Sequence, residues 1–316
     1  MSVENWLNRL APKSARANGY TLRAFMSWNA EHGGKFAGLT EDELVEYQKN
    51  SDNGSEYDIL DLIQRYIGGL KGLRIKTKLT YYSALKSFFA HNRAGLPEDP
   101  TFIIRSKVAP VLGDLPADDV RDIVLSSKPV YRAIFLSMFQ GGLDVAGFVY
   151  WNLNGYESLR DQLKHEPDVI RIALPGRKAR KNQETFYTLI AGDAIKAIRD
   201  YLPLRPEGAE AIFCNQYGTP ISKTALKAYW MRHLIKIGLI KPRGDGKKSN
   251  RYGKNLHELR DCFRSQWEKS PAKASVAEFM MGHVVDKLEY NKAHRDEAWT
   301  RREYRKALPL LQIMSG

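Results

Sequence analysis

The segment LHELRDCFRSQW constrains the fold more than any other stretch of the chain. Its large apolar residues recur every three or four positions, the spacing of a helix that buries one face, at Leu256, Leu259, Phe263 and Trp267. Residues three apart share a helix face, so His257 and Arg260 can point at one ligand. An arginine fork matches two phosphate oxygens and stays charged at any relevant pH. Arg260 is therefore the first candidate for phosphate binding.

A second segment with candidate site residues follows. SPAKASVAEFMMGH predicts a turn and then a helix that ends at Gly282 and presents Val276, Phe279 and Met280 to a core. His283 follows at once, and Tyr290 lies shortly beyond it. To open a phosphodiester without a metal, the phosphate charge must be neutralised, the leaving oxygen protonated and the phosphorus attacked. Arginine can neutralise the phosphate charge, lysine or histidine can protonate the leaving oxygen, and tyrosine can attack phosphorus.

A β-hairpin is predicted upstream of both segments. Residues 169–174 alternate and are rich in β-branched side chains, and ETFYTLI resumes the strand pattern after the basic stretch RKARKNQ. The sequence therefore predicts two strands joined by a basic tip. AIFCNQYGTPISKTALKAYWMRHL further predicts a strand, a turn and a helix before the His257 segment.

Together these motifs resemble the tyrosine recombinase (phage integrase) family, whose catalytic half carries an H-x-L-R box, an L-G-H box and then a nucleophilic tyrosine. Here they read NLHELRDCF, FMMGHVVDK and LEYNK. The resemblance implies that Arg260 and His257 hold the scissile phosphate and that His283 assists as a donor. It also implies that Tyr290 attacks phosphorus, leaving a 3′-phosphotyrosyl link and a free 5′-hydroxyl.

The resemblance also implies a catalytic lysine near the hairpin turn that protonates the leaving 5′ oxygen. Counting back from residues 188–190 selects Lys181, whereas the local pattern Arg-Lys-Ala-Arg selects Lys178. Both lysines stay candidates. Arg177 and Arg180 of the same tip are expected to contact the DNA backbone.

One departure from the family is serious. Its first box reads roughly T-G-L-R-x-x-E-L, but FLSMFQGGLDVAGFVYWNL has Asp144 in place of the first catalytic arginine and Gly147 in place of the glutamate. An aspartate repels a phosphate, and the interaction between close unit charges is on the order of 4 kcal/mol at intermediate dielectric. Arg132, upstream on the same predicted helix, should face elsewhere. Three explanations stay open. The chain is a catalytically impaired relative, it recruits another arginine such as Arg177 or Arg180, or the aspartate was introduced deliberately.

The C-terminal segment AWTRREYRKALPLLQI predicts a helix, over residues 299–312, that packs on a core. Trp299, Tyr304, Ala307 and Leu310 have near-helical spacing, so Tyr304 is expected to be structural and Tyr290 to be the nucleophile. The family resemblance implies that such a helix can dock on a neighbouring subunit. Self-association into a dimer or tetramer on DNA is therefore expected, with this helix as one candidate contact.

The N-terminal residues predict a compact helical unit that resembles the family's core-binding domain. Apolar stripes around Phe25, Ile63 and Phe88 indicate three helices, and Thr40 before EDELVEYQ indicates the N-cap of another. A proline-rich linker places the boundary near residue 108, which gives a core-binding domain over 1–108 and a catalytic domain over 109–316. Two basic groups are expected to contact DNA: one at a helix start, Arg74, Lys76 and Lys78, and one in the loop before the His257 helix, Lys247, Lys248 and Arg251.

Whole-chain properties agree with a DNA partner. The 316 residues carry a formal net charge of +13, which favours salt-sensitive contacts with phosphates. No apolar run approaches a membrane span and the N-terminus lacks a signal peptide's apolar core, so a cytoplasmic protein is expected. Cys214 and Cys262 lack the paired spacing of a metal or redox site, and no phosphate-binding glycine loop is present. We expect neither a cofactor nor a metal.

The sequence thus predicts a mainly α protein with a small antiparallel, three-stranded β-sheet (α+β): an N-terminal helical bundle and a tyrosine recombinase catalytic domain. The predicted function is site-specific recombination of duplex DNA. Two alternatives stay open. One is a non-catalytic DNA-binding relative, which Asp144 supports, and the other is a relaxing type IB topoisomerase-like enzyme.

Overall fold

The chain forms two compact units, Met1–Pro110 and Val111–Gly316. The structure, a computed structural model, describes residues 2–52, 54–107, 113–176, 185–241, 253–283, 285 and 293–314. The sequence predicts the boundary between the domains near residue 108, and the roles of the two domains remain predictions.

Helices make up the regular structure described in the first unit. They are α1 Ser2–Asn8, α2 Pro12–His32, α3 Glu41–Lys49, α4 Asp58–Gly69 and α5 Ile75–His91, with a short 3-10 turn at Gly34–Phe36. Aromatic and branched side chains fill the core, where the ring centroids of Trp6 and Phe88 lie 5.3 Å apart. Thr40 caps α3 as predicted, because its hydroxyl accepts from the Glu43 backbone N–H while the Glu43 carboxylate accepts from the Thr40 N–H.

The second unit contains nine helices and two strands in its described residues. They are α6 Ala117–Ser126, α7 Pro129–Gln140, α8 Val145–Asn154, α9 Tyr156–Leu163, β1 Val169–Leu174, β2 Phe186–Ala191, α10 Gly192–Tyr201, α11 Lys223–Lys236, α12 Glu258–Glu268, α13 Ala274–Met280 and α14 Glu297–Leu311. The 3-10 turns Leu202–Leu204 and Ala293–Arg295 add to these. The predicted fold class, mainly helical with a small antiparallel sheet, is confirmed.

The sheet is smaller than the sequence predicts. Strands β1 and β2 pair antiparallel, in the register Val169↔Ala191 to Leu174↔Phe186. The predicted third strand is reduced, among the described residues, to one isolated bridge between Cys214 and Pro220. The prediction of a third strand was therefore wrong. Its apolar residues 211–213 are buried by packing rather than by a ladder, since the Asn152 side chain satisfies the Phe213 backbone N–H and C=O.

Helix α7 runs through the core of the second unit, with its last eight residues all buried. Such an apolar surface on every side is typical of a helix enclosed by other elements. The chain turns by 120° between α7 and α8, at Gly141 to Asp144. Arg132 and Asp144 therefore lie on different helices, which corrects the single helix predicted for them. Arg132 donates to the Val124 and Leu125 carbonyls at the end of α6.

Among the described residues, no single helix combines the length and hydropathy of a membrane span. Helices α7 and α8 meet that criterion of length and composition only as a bent pair.

Helix α14 packs on the core of its own unit. Thr300, Tyr304, Ala307 and Leu311 are completely buried, whereas Leu310, which the sequence predicts in the core, is 37% exposed. The helical period places Leu311 one turn beyond Ala307, so this residue takes the inner position. The Gln140 side chain and the Asp193 carboxylate hold the end of the helix by hydrogen bonds to the Leu311 carbonyl and to the Ile313 and Met314 backbone N–H groups.

Candidate active site

Arg260 lies at the centre of the candidate site, in the first turn of α12. Its side chain is only 4% exposed, because the apolar stripe predicted from Leu256 to Trp267 buries α12 deeply. Nη1 donates to the Gly142 carbonyl at 2.7 Å, and Nη2 donates to the Met281 carbonyl at 2.7 Å and contacts His283 Nε2 at 2.8 Å. The guanidinium thus joins the turn before α8 to the segment after α13.

His283 is oriented from both sides. Its Nδ1 lies 2.6 Å from a Glu278 carboxylate oxygen, and Glu278 also accepts from Arg264 Nε at 2.6 Å. Because a guanidinium can only donate, Nε2 of His283 accepts from Arg260 and the ring proton lies on Nδ1, which donates to Glu278. Burial raises the pKa of Glu278, but hydrogen bonds from His283 and Arg264 outweigh it and leave the pKa below its ordinary value. An ionised Glu278 thus fixes the imidazole.

Gly142 makes the contact with Arg260 possible. Its φ of +56° lies in the left-handed region, and a Cβ there would come within 2.7 Å of the fully buried Phe263 ring. Only glycine lets the turn approach α12 so closely. The preceding carbonyl, of Gly141, accepts from the Thr188 hydroxyl at 2.6 Å, so the turn is held by β2 as well as by α12.

Asp144 is the N-cap of α8. Its Oδ1 accepts from the Gly147 backbone N–H at 2.7 Å, one of the first N–H groups of a helix that lack an intrahelical partner. Aspartate is among the preferred residues for this position, whereas arginine cannot accept such a bond. The departure at Asp144 is therefore suited to the start of α8, where its carboxylate bonds the Gly147 backbone.

His257 lies just before the first residue of α12 and is more exposed than Arg260. Its side chain is 55% exposed and its Nε2 lies 4.0 Å from Asp261 Oδ1. Asn255 fixes the approach to the helix, because its side-chain oxygen Oδ1 accepts from the His257 N–H and its side-chain nitrogen Nδ2 donates to the Glu258 carboxylate. The structure thus brings His257, Arg260 and His283 to one end of α12, with His257 towards solvent.

A cleft of about 820 Å³ opens beside His257. The start of α8 forms one wall, α11 forms another, and the residues leading into α12 close it. Its lining includes Asp144, Lys223, Lys227, Arg232, Asn255 and His257. Lys223 and Lys227 of α11 were not predicted as site residues, because exposed basic residues on a helix are usually solvated and carry no local signal of a site.

Several predicted site residues lie outside the described residues. They are the nucleophile Tyr290, the lysine candidates Lys178 and Lys181, and the basic residues Arg177, Arg180, Lys247, Lys248 and Arg251. Their roles remain predictions.

Tyr304, the other tyrosine considered, is fully buried and its hydroxyl donates to the Gln140 carbonyl at 3.3 Å. Burial, with a smaller effect of the Asp193 charge, raises the pKa of Tyr304 far above the ordinary tyrosine value. This environment suits a core residue rather than a nucleophile.

In the first unit, the three basic residues predicted to contact DNA at the start of α5 differ in their exposure to solvent. Lys76 is exposed and Arg74 is half-buried at the N-cap position, but Lys78 is only 6% exposed. Lys78 therefore offers little surface to a phosphate. Its spacing places it on the same side of α5 as Leu85, which is completely buried.

Comparison with known proteins identifies the fold. No family model and no curated protein matches the sequence. Among solved structures, XerH site-specific recombinase bound to difH substrate is 18% identical with a TM-score of 0.50, covering 79% of this chain and 70% of that one. Tn1549 transposon integrase with circular intermediate DNA is 14% identical with a TM-score of 0.52, covering 83% and 91%. The same integrase with transposon right end DNA is 15% identical with a TM-score of 0.50, covering 90% and 98%.

These likenesses agree with the family resemblance of the His257, His283 and Tyr290 segments, and they extend over both units of the chain. At sequence identities of 14% to 18%, the structural similarities establish the architecture of the chain. The chain has the fold of the tyrosine recombinases and integrases.

Proposed function

We propose that this chain is a site-specific DNA recombinase that cleaves and rejoins duplex DNA through a 3′-phosphotyrosyl intermediate on Tyr290. The observation that carries the proposal is the Arg260–His283 pair, which joins the H-x-L-R and G-H segments over 2.8 Å within the tyrosine recombinase fold. The structural neighbours are recombinases and integrases in complex with recombination-site or transposon DNA, which supports duplex DNA as the substrate.

In the proposed reaction, the Tyr290 hydroxyl releases its proton to solvent water as its oxygen attacks phosphorus, while the bond from phosphorus to the 5′ oxygen breaks. Lys178 or Lys181 gives that oxygen its proton. Arg260 and His257 stabilise the negative charge that develops on the non-bridging oxygens. His283, held by Glu278, donates to the same phosphate once its Nε2 carries a proton. Attack by a 5′-hydroxyl from a second duplex reverses these steps and exchanges the strands, so no cofactor is required.

Recombination of two duplexes implies self-association, with two subunits on each site and four in a synaptic complex. The apolar side of α14 is already used within its own unit, where Tyr304 and Leu311 are buried. We therefore propose that any contribution of this helix to a neighbouring subunit uses its exposed side, which carries Ala298, Arg302, Arg305, Lys306 and Leu310.

A second candidate is a DNA-binding relative that occupies recombination sites without cleaving them. The cap that Asp144 makes on α8 favours it, because a residue committed to a helix end does not clamp a phosphate. DNA binding without covalent attachment is the behaviour that this candidate predicts.

Covalent trapping separates the candidates. Labelled duplexes with a nick and randomised flanking sequence are incubated with the protein, and DNA that stays attached in detergent is recovered and sequenced. The nick lets the short 5′-hydroxyl strand diffuse away, so the covalent complex accumulates. We expect a covalent band that Tyr290→Phe abolishes and Tyr304→Phe retains, with the DNA on the peptide that contains Tyr290.

A band that survives Tyr290→Phe would contradict the assignment of the nucleophile. Retention of duplex DNA with no covalent band in any preparation would favour the non-catalytic candidate. Strand joining between two recovered duplexes distinguishes a recombinase from a topoisomerase, which reseals the same duplex.

A further inference from the structure

The cleft beside His257 holds positive charge close to the position of the missing first arginine. Lys223 and Lys227 line it from α11, and Asp144 lines it from the start of α8. The two lysines are four residues apart, so they lie one above the other on the same helix face. His257 lines the same cleft.

Lys223 and Lys227 lie on the same face of α11 as its buried residues, so this face lines the cleft at the start of the helix and enters the core further along. Leu226, Trp230 and Leu234 are buried in the core, and the Trp230 indole N–H donates to the Lys254 carbonyl at 2.8 Å. Lys254 lies three residues before His257, so this bond ties α11 to the segment that positions the histidine. One hydrogen bond therefore links the helix that carries the two lysines to the segment that leads to His257.

The cleft lysines also differ from neighbouring basic residues in their partners. Within the described residues, Lys254 pairs with Asp119 and Arg264 pairs with Glu278, but Lys223 and Lys227 are exposed and form no ion pair with a described carboxylate. Exposed cations are stabilised by any anion that enters the cleft, and a nucleic-acid phosphate is the anion that the proposed function supplies.

We infer that Lys223 and Lys227 bind the scissile phosphate next to His257 and supply the positive charge that Asp144 does not. The inference rests on the proposed function and names the phosphate-binding residues of that same site. An ammonium binds as a point charge and cannot form the bidentate fork of arginine. Two lysines one turn apart offset that difference, while Asp144 stays engaged with the Gly147 N–H.

The first test measures DNA binding and needs no cleavage. Binding of a fluorescent duplex from the trapping library is followed as a function of salt, for the wild type and for Lys223→Gln, Lys227→Gln and Lys236→Gln. Lys236 is the matched control, because it is an exposed lysine on α11 that does not line the cleft. We expect each cleft variant to lower the slope of log affinity against log salt by about 0.9, the loss of one phosphate contact, and the control to leave it unchanged.

The second test asks whether the lysines substitute for the first arginine. Lys227→Gln is expected to lower covalent complex formation by about 10- to 100-fold, the effect of one charge-assisted hydrogen bond. In an Asp144→Arg background the same substitution should cost much less, because an arginine then holds the phosphate. Lys236→Gln should have little effect in either background.

The outcomes separate this inference from the proposed function. A covalent complex that forms equally well with Lys227→Gln and Lys236→Gln would overturn the inference and leave the recombinase proposal intact. A slope change without rescue by Asp144→Arg would assign the lysines to a different phosphate and also overturn it. Absence of DNA binding by the wild type would overturn both.

Discussion

Nη2 of Arg260 lies 2.8 Å from Nε2 of His283, and the same guanidinium donates through Nη1 to the carbonyl of Gly142, 118 residues away in the sequence. One side chain therefore connects the three segments that the family resemblance treats as separate boxes. Since Arg260 is almost fully buried, these contacts contribute to stability as well as to the proposed phosphate site.

Arg260→Lys should destabilise the second unit although it conserves charge. A single ammonium cannot reach the Gly142 and Met281 carbonyls with the geometry of the guanidinium, and a buried acceptor left unpaired costs roughly 1–3 kcal/mol. Urea unfolding measures the loss. Arg264→Lys on the same helix is the control, because the Arg264 side chain is 29% exposed and can keep an ion pair with Glu278. Equal losses in the two variants would contradict this interpretation.

Glu278 should make stability depend on pH on the acid side. Its pKa is lowered in the folded chain, because hydrogen bonds from His283 and Arg264 outweigh the effect of burial. A carboxylate of this kind contributes stability that is fully present above its unfolded pKa, about 4.3, and is lost as the pH falls through the lower folded value. We expect Glu278→Gln to be less stable than the wild type at neutral pH.

The difference between the two proteins should shrink as the pH drops below that unfolded value, since the wild type then protonates Glu278. Urea unfolding midpoints measured from neutral to acid pH follow the change. A difference that stays constant over this range would show that Glu278 acts by packing and not by its charge.

Asp144 should contribute to stability as a helix cap. Asp144→Ala removes the acceptor of the Gly147 N–H and is expected to lower the free energy of unfolding by about 1 kcal/mol, whereas Asp144→Asn keeps an acceptor and should cost little. Asp144→Arg should lose about as much as the alanine variant. Thermal unfolding of the three variants tests the order. The prediction fails if the asparagine variant is no more stable than the alanine variant.

Gly142→Ala should disturb the site through its backbone. The added Cβ would meet the Phe263 ring at 2.7 Å in a left-handed conformation that costs a non-glycine residue about 1–2 kcal/mol. Gly238→Ala is the matched control, since Gly238 also has positive φ but a Cβ there meets nothing within 4 Å. Urea unfolding should show a larger loss for Gly142→Ala. The excess over Gly238→Ala reports the steric contact with α12.

Local sequence patterns predict much of the fold because their physical causes are local. The apolar stripe from Leu256 to Trp267, the cap at Thr40 and the alternation in β1 depend on residues a few positions apart. The predicted third strand failed because pairing requires a partner from elsewhere in the chain, and the Asn152 side chain satisfies the Phe213 backbone instead. The break between α7 and α8 was missed although Gly141 and Gly142 are a turn signal, because large apolar residues continue on both sides of the pair.

The sequence by itself determined the helical architecture, the hairpin and the selection of Arg260, His257 and His283 as candidate site residues, because spacing and side-chain chemistry carry that information. Only the tertiary structure decided which contacts these residues make. It joined Arg260 to Gly142 and His283, committed Asp144 to a helix end and turned Lys223 and Lys227 towards the same cleft as His257. Such contacts join segments distant in the chain, and their energy exists only once the core has packed.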